Sequence, residues 1–173
     1  MKILRYSILL LLVLFSALPG CKKNGVNLDP CAGILNESPP SKVVIALTDK
    51  QTGDNLILKN GLTAADLKIT LAGIATPLTN WRVVNSPGSP MNGMLELAVF
   101  HEKAGEFRYK IEAKGLADVE FSYAVKQVKS DSPCKLYYYP LEGLKATNQD
   151  YVKLEIGDKI YPNGIKVLYS LER

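Results

Sequence analysis

From Val43 onward, apolar and polar residues alternate in short runs. Val43, Ile45 and Leu47 fall on one side of an extended segment, and Leu67, Ile69 and Leu71 do the same around Lys68 and Thr70. Leu95, Leu97 and Val99 share a face. Phe107, Tyr109 and Ile111 alternate with charged residues from Glu106 to Glu112, and Val119, Phe121, Tyr123 and Val125 alternate with Glu120, Ser122, Ala124 and Lys126. Val152, Leu154 and Ile156, then Ile165, Val167, Tyr169 and Leu171, complete the series. A period of two is that of a strand with one buried face. Trp81 to Val84 reads as a further short strand. Leu56 to Lys59 reads as a return strand after the turn residues Asp49 to Asn55. Short Gly-containing connections at 102–105 and 114–117 predict a three-strand meander from Leu95 to Val125. The run Ser86 to Gly93, with two prolines and two glycines, is a loop. Only Ala64 to Leu67 suggests a helical turn. Eight or nine short strands with one wet and one dry face predict an all-β, antiparallel two-sheet sandwich over residues 41–173.

The first twenty residues break this pattern. Lys2 and Arg5 precede an unbroken apolar run from Ile8 to Phe15, and small and turn-forming residues follow. This is the layout of a secretory signal segment. The run is shorter than the roughly 20 apolar residues that a spanning helix needs. Leu18-Pro19-Gly20-Cys21 resembles the bacterial lipobox. The resemblance implies cleavage after residue 20 and acylation of Cys21, with fatty chains such as palmitate anchoring the protein to a membrane. Residues 21–40 then form a lipidated tether. Two or more acyl chains, at about 0.8 kcal/mol per buried CH₂, give stable attachment. Plain secretion, with Cys21 incidental, is the alternative.

Charge then narrows the partners. Cleavage removes two of the 21 basic side chains (Lys2 and Arg5) and none of the 17 acidic ones, leaving a formal charge of +2. No stripe of Lys or Arg is present, so nucleic acid is not indicated as a partner. Roughly 130 residues suffice for one domain with its own core. With Cys21 spent on lipid, Cys31 and Cys134 remain, and export to an oxidising compartment predicts that they form a disulfide. Such a bond closes a loop worth up to ~4.7 kcal/mol on the chain-entropy account. The free leash between Cys21 and Cys31 would then span at most ~30 Å. Two separate buried thiols are the alternative.

Two further resemblances bear on architecture. The stretch Ala104-Gly105-Glu106-Phe107-Arg108-Tyr109-Lys110-Ile111 resembles the late strands of bacterial immunoglobulin-like domains. Asp49, Lys50, Thr52, Gly53, Asn55 and Leu56, followed by Asp66, Leu67, Lys68 and Ile69, resemble the opening of small lipoproteins common in the Bacteroidetes. These imply an immunoglobulin-like sandwich of that origin and carry over no functional residue. Lys22 follows Cys21, in place of the Asp that signals inner-membrane retention in many Gram-negative lipoproteins, which implies the outer membrane. The segment Lys22-Lys23-Asn24-Gly25 also lacks the acidic run that resembles a surface-export signal. The periplasmic leaflet is therefore favoured, with the cell surface as the alternative.

Candidate chemistry is sparse. The one histidine, His101, sits beside Glu102 at a strand end, and no G-x-S-x-G or H-E-x-x-H motif is present. Asp49, Asp54 and Asn55 could hold Ca²⁺, yet their spacing departs from the EF-hand loop and a solvated turn is the simpler reading. No metal or cofactor is therefore expected. Trp81 and Tyr137, Tyr138 and Tyr139 are the candidate binding aromatics, as three consecutive tyrosines cannot all face a core. The alternative is that Trp81 fills the core and the tyrosines cap the sandwich edge. The expected function is non-enzymatic: a lipid-anchored module binding a protein or glycan. An envelope polysaccharide or peptidoglycan hydrolase using scattered carboxylates is the rival, and a purely structural spacer is a third reading.

Overall fold

The computed structural model describes residues 31–32 and 41–170. The signal segment, Cys21 and most of the tether lie outside the described residues, as does Leu171. The chain divides into Met1–Ile34 and Leu35–Arg173, and the strands of the described residues belong to the second unit.

The described residues of that unit form an all-β sandwich of nine strands in two sheets, with a small separate ribbon. The five-stranded sheet has the order β10-β11-β1-β4-β3, formed by β1 (Ser41–Asp49), β3 (Trp81–Val83), β4 (Leu95–Val99), β10 (Asp150–Ile156) and β11 (Lys159–Tyr169). The four-stranded sheet has the order β2-β5-β6-β9, formed by β2 (Leu67–Leu71), β5 (Gly105–Ala113), β6 (Val119–Val125) and β9 (Leu141–Ala146). β7 (Val128–Lys129) and β8 (Tyr137–Tyr138) make the ribbon.

The alternation read from sequence supplies the core. Val43, Ile45 and Leu47 of β1, Leu95 and Leu97 of β4, and Ile165 and Val167 of β11 line one wall. Ile69, Tyr109, Ile111, Val119 and Phe121 line the other. Each such side chain, fully buried, contributes about 1.5–3 kcal/mol. β1 is covered on its other face too: Ala46 packs there with Met94 and Leu154, flanked by Met91 and Tyr161. The 91–94 end of the Pro/Gly loop thus packs over the sheet, and Ser86 to Gly88 stay exposed.

Several expectations need correcting. One pairing is not antiparallel, because β1 runs parallel to β11, with Ile45 opposite Ile165 and Leu47 opposite Val167. Leu56–Lys59 is a single helical turn, α1, and not a return strand. The Asn55 side chain accepts from the backbone N–H groups of Ile57 (2.9 Å) and Leu58 (3.2 Å), and this cap starts a helix after one bridge between Thr48 and Asn55. The turn lets both Leu56 and Ile57 enter the core, which a strand could not do.

The predicted meander is also split, since β4 lies in one sheet and β5 and β6 in the other. The chain changes sheets at Phe100, whose peptide is held on both sides. Its N–H donates to the Tyr109 hydroxyl (3.1 Å), and its carbonyl accepts from the Tyr123 hydroxyl (2.8 Å). The two hydroxyls are 3.2 Å apart. The alternation in β5 and β6 points both rings inward, so these strands carry the clamp that redirects the preceding one. In β10, Val152 is exposed although the pattern placed it inward. β10 is an edge strand with a register shift between Lys153 and Glu155; Leu154 is buried against Gly164 and Ile156 half-buried in the same cluster.

Candidate functional site

An open groove of about 850 Å³ lies on the four-stranded sheet, lined by residues including Ile74, Glu106, Arg108, Ser122, Glu142 and Lys145. Its floor follows from the strand pattern. Tyr109, Phe121 and Tyr123 turn into the core, so the alternate residues of β5 and β6 face outward. Ser122 and Ala124 are the small residues at the centre of that outer face, and longer side chains flank them on the neighbouring strands.

Pairing arranges these flanks in two rows. Arg108 is opposite Ser122, and Ser122 is opposite Lys145; one step along, Glu106 is opposite Ala124, and Ala124 opposite Glu142. At a strand separation of about 4.8 Å, the two ends of each row are roughly 10 Å apart at the backbone. The rows themselves are separated by about 7 Å along the strand.

β9 reaches this arrangement through a bulge. Glu142 and Lys145 are three residues apart, which in a regular strand would put them on opposite faces. The register between β6 and β9 shifts between Ser122 and Ala124, and Gly143, with φ +65°, supplies the extra residue. Leu141 and Leu144 pack against the core, and Glu142 and Lys145 both remain exposed on the outer face.

The charges around the groove differ in how they are engaged. Lys68 pairs with Glu112 at 3.0 Å; Lys110 pairs with Asp118 at 2.7 Å and with Glu112 at 3.2 Å; Lys126 pairs with Glu142 at 2.6 Å. The two lysines hydrogen-bonded to Glu112 hold its carboxyl below the usual range. Arg108 and Lys145 have no carboxylate within ion-pairing distance among the described residues.

The aromatics expected to bind are dispersed. Trp81 is on the edge strand β3, half-buried against the core, and its indole N–H donates to the Leu78 carbonyl at 2.8 Å. Tyr139 likewise packs against the core. Tyr137 and Tyr138 lie on the ribbon, 44% and 46% exposed, next to Leu136 at 64%. Tyr138 is opposite Val128 and Tyr137 opposite Lys129. The tyrosine triplet is therefore divided, one ring inward and two outward.

Cys31 and Cys134 are disulfide-bonded. His101 is half-buried with Nδ1 3.3 Å from the Val99 carbonyl oxygen. At the first turn, the Asp49 carboxylate accepts from the backbone N–H groups of Gln51 (2.9 Å) and Thr52 (3.0 Å), which lower its pKa. The Lys59 ammonium stands 3.6 Å from Asp49 and 2.9 Å from Asp54. A lysine thus occupies the cation position between these two carboxylates.

Sequence reasoning missed the groove because it missed β9. The signal available was the spacing Leu141-Glu142-Gly143-Leu144-Lys145-Ala146, a strand period with one glycine inserted. No protein family, curated protein or solved structure matches this chain.

Proposed function

We propose that this chain is a lipid-anchored envelope lipoprotein, attached through acyl chains on Cys21, whose sandwich binds a protein or glycan without turning it over. The outer membrane is its site, with the periplasmic leaflet favoured over the cell surface. The kinship proposed is with small Bacteroidetes lipoproteins carrying immunoglobulin-like domains. The observation that carries the binding reading is the outer-face groove, where Arg108 and Lys145 remain unpaired beside neighbours that are paired. The exposed stretch Leu136–Tyr138 counts against a purely structural spacer, for which a polar surface would suffice.

One observation favours the hydrolase reading: Glu106 and Glu142 face each other across Ala124, at a spacing compatible with an acid–base pair acting on a glycoside. Against it, both carboxylates are exposed and Glu142 is engaged by Lys126. A general acid needs the opposite, a desolvated carboxyl held protonated.

Two measurements test the proposal. Cells fed an alkynyl palmitate should label the wild-type protein and leave Cys21→Ser unlabelled; equal labelling would remove the anchor assignment. Purified protein incubated with envelope polysaccharide and with peptidoglycan should release no new reducing ends. Release that disappears in Glu106→Gln would replace binding with hydrolysis.

A further inference from the structure

We infer that the groove takes an acidic saccharide, with a sugar carboxylate held between Arg108 and Lys145 over Ser122, and hydroxyls donating to Glu106 and Glu142. This rests on the binding reading above and adds the ligand's chemical class.

The geometry supplies both ends of such a ligand. A guanidinium and an ammonium bracketing a small hydroxyl residue form a receptor for one carboxylate, with Ser122 available as a further donor. The second row, about 7 Å along the strands, offers as acceptors the Glu106 carboxylate and the Glu142 oxygen that Lys126 does not engage. A sugar acid carries its carboxylate on one edge and hydroxyl donors elsewhere on the ring, so one residue can satisfy both rows. Clustered phosphates carry no hydroxyl donors for the second row and would leave Glu106 unmatched.

The fold also argues against a peptide here. β5 and β6 are interior strands, hydrogen-bonded on both sides. No free backbone row is available at the floor for strand addition. Recognition at this face must come from side chains. The small side chains of Ser122 and Ala124 leave room for a ring to settle between the flanks, and Ile74 stands at the wall as an apolar contact for a ring face.

The test is calorimetric titration of the mature, acylated protein in detergent micelles with tetragalacturonate, and with maltotetraose as the neutral counterpart. Tetragalacturonate should bind and maltotetraose should bind at least tenfold more weakly. Arg108→Ala and Lys145→Ala should each weaken tetragalacturonate binding by about tenfold, the loss of one charge-assisted contact. Lys166→Ala, a cation on the other sheet, should leave it unchanged. Circular dichroism of each variant establishes that the fold is retained. Equal affinity for the two sugars, or full affinity in the Arg108→Ala/Lys145→Ala double variant, overturns the assignment. If neither sugar binds while a protein partner crosslinks to residues of the groove, the ligand class fails and the binding reading survives. Cleavage of the bound sugar would support the ligand class and refute the non-enzymatic reading.

Discussion

Replacing Tyr123 by Phe removes one oxygen atom from the place where the chain crosses between the sheets. The Tyr123 hydroxyl donates its single proton to the Phe100 carbonyl at 2.8 Å and stands 3.2 Å from the Tyr109 hydroxyl, which in turn accepts from the Phe100 N–H. A hydroxyl has one proton to give, so the proton between the two tyrosines belongs to Tyr109. The three groups therefore close a ring, and in Tyr123→Phe both the Phe100 carbonyl and the Tyr109 proton lose their partner. The rings stay packed, with Tyr123 stacked at 5.5 Å from Phe107 and 5.8 Å from Tyr109, so the cost is that of unsatisfied polar groups and not of a cavity. Leaving a buried group unpaired costs about 1–3 kcal/mol. At about 2 kcal/mol, and an m-value near 2 kcal/mol/M, the urea midpoint should fall by about 1 M. Trp81, the one tryptophan, reports the transition by fluorescence. Tyr109→Phe should cost a similar amount, and the double variant should cost less than the sum by at least ~0.5 kcal/mol, because the second change removes a bond already broken. Strict additivity, or a loss below ~0.5 kcal/mol for Tyr123→Phe, would refute the closed ring and leave the crossing held by apolar packing alone.

Three other outcomes follow from the structure. Gly93→Ala places a Cβ 2.5 Å from Leu58 Cγ at φ +77°, whereas Gly115→Ala meets nothing within 4 Å at φ +76°. Gly115→Ala should cost about 1–2 kcal/mol for the left-handed backbone alone and Gly93→Ala clearly more, read by the same urea titration. Burial pushes the Tyr123 and Tyr169 hydroxyls well above the ordinary tyrosine range, so the folded state keeps protons that the unfolded chain releases. Stability should be intact below about pH 10 and decline as pH rises further, with a shallower decline in Tyr169→Phe. Loss of the Cys31–Cys134 bond through Cys134→Ser should cost up to ~4.7 kcal/mol, and a thermal scan showing no change would mean that the bond constrains no flexible loop.

The strands that keep a strict period of two were legible. β1, β2, β4, β5 and β6 fall where apolar residues alternate, because each turns one face to the main core and every slip in register would withdraw it. Which strand pairs with which was not. The short connection after β4 reads as a hairpin, yet the partners that hold it in the crossing form are two tyrosine hydroxyls contributed by later strands. α1 was hidden because its helical start depends on one side-chain cap from Asn55, reinforced by its contact with the Asn92 carbonyl. For the groove, the two outer-face positions of β5 and β6 could be read, and those of β9 could not. A glycine at a positive φ moves the period by one residue, so a search for strict alternation passes over the segment.

The parallel seam between β1 and β11 sets an order of assembly. β1 is the middle strand of its sheet, and one of its neighbours is the last strand of the domain. A chain emerging N-terminus first can close β2, β5 and β6 into their sheet early, while β1 waits with one edge open until Lys159–Tyr169 arrives. Such a topology folds slowly and late, its central pairing having the longest sequence separation in the domain. Under the export route proposed above, that delay would keep the domain loose enough to pass a membrane before Lys159–Tyr169 locks it.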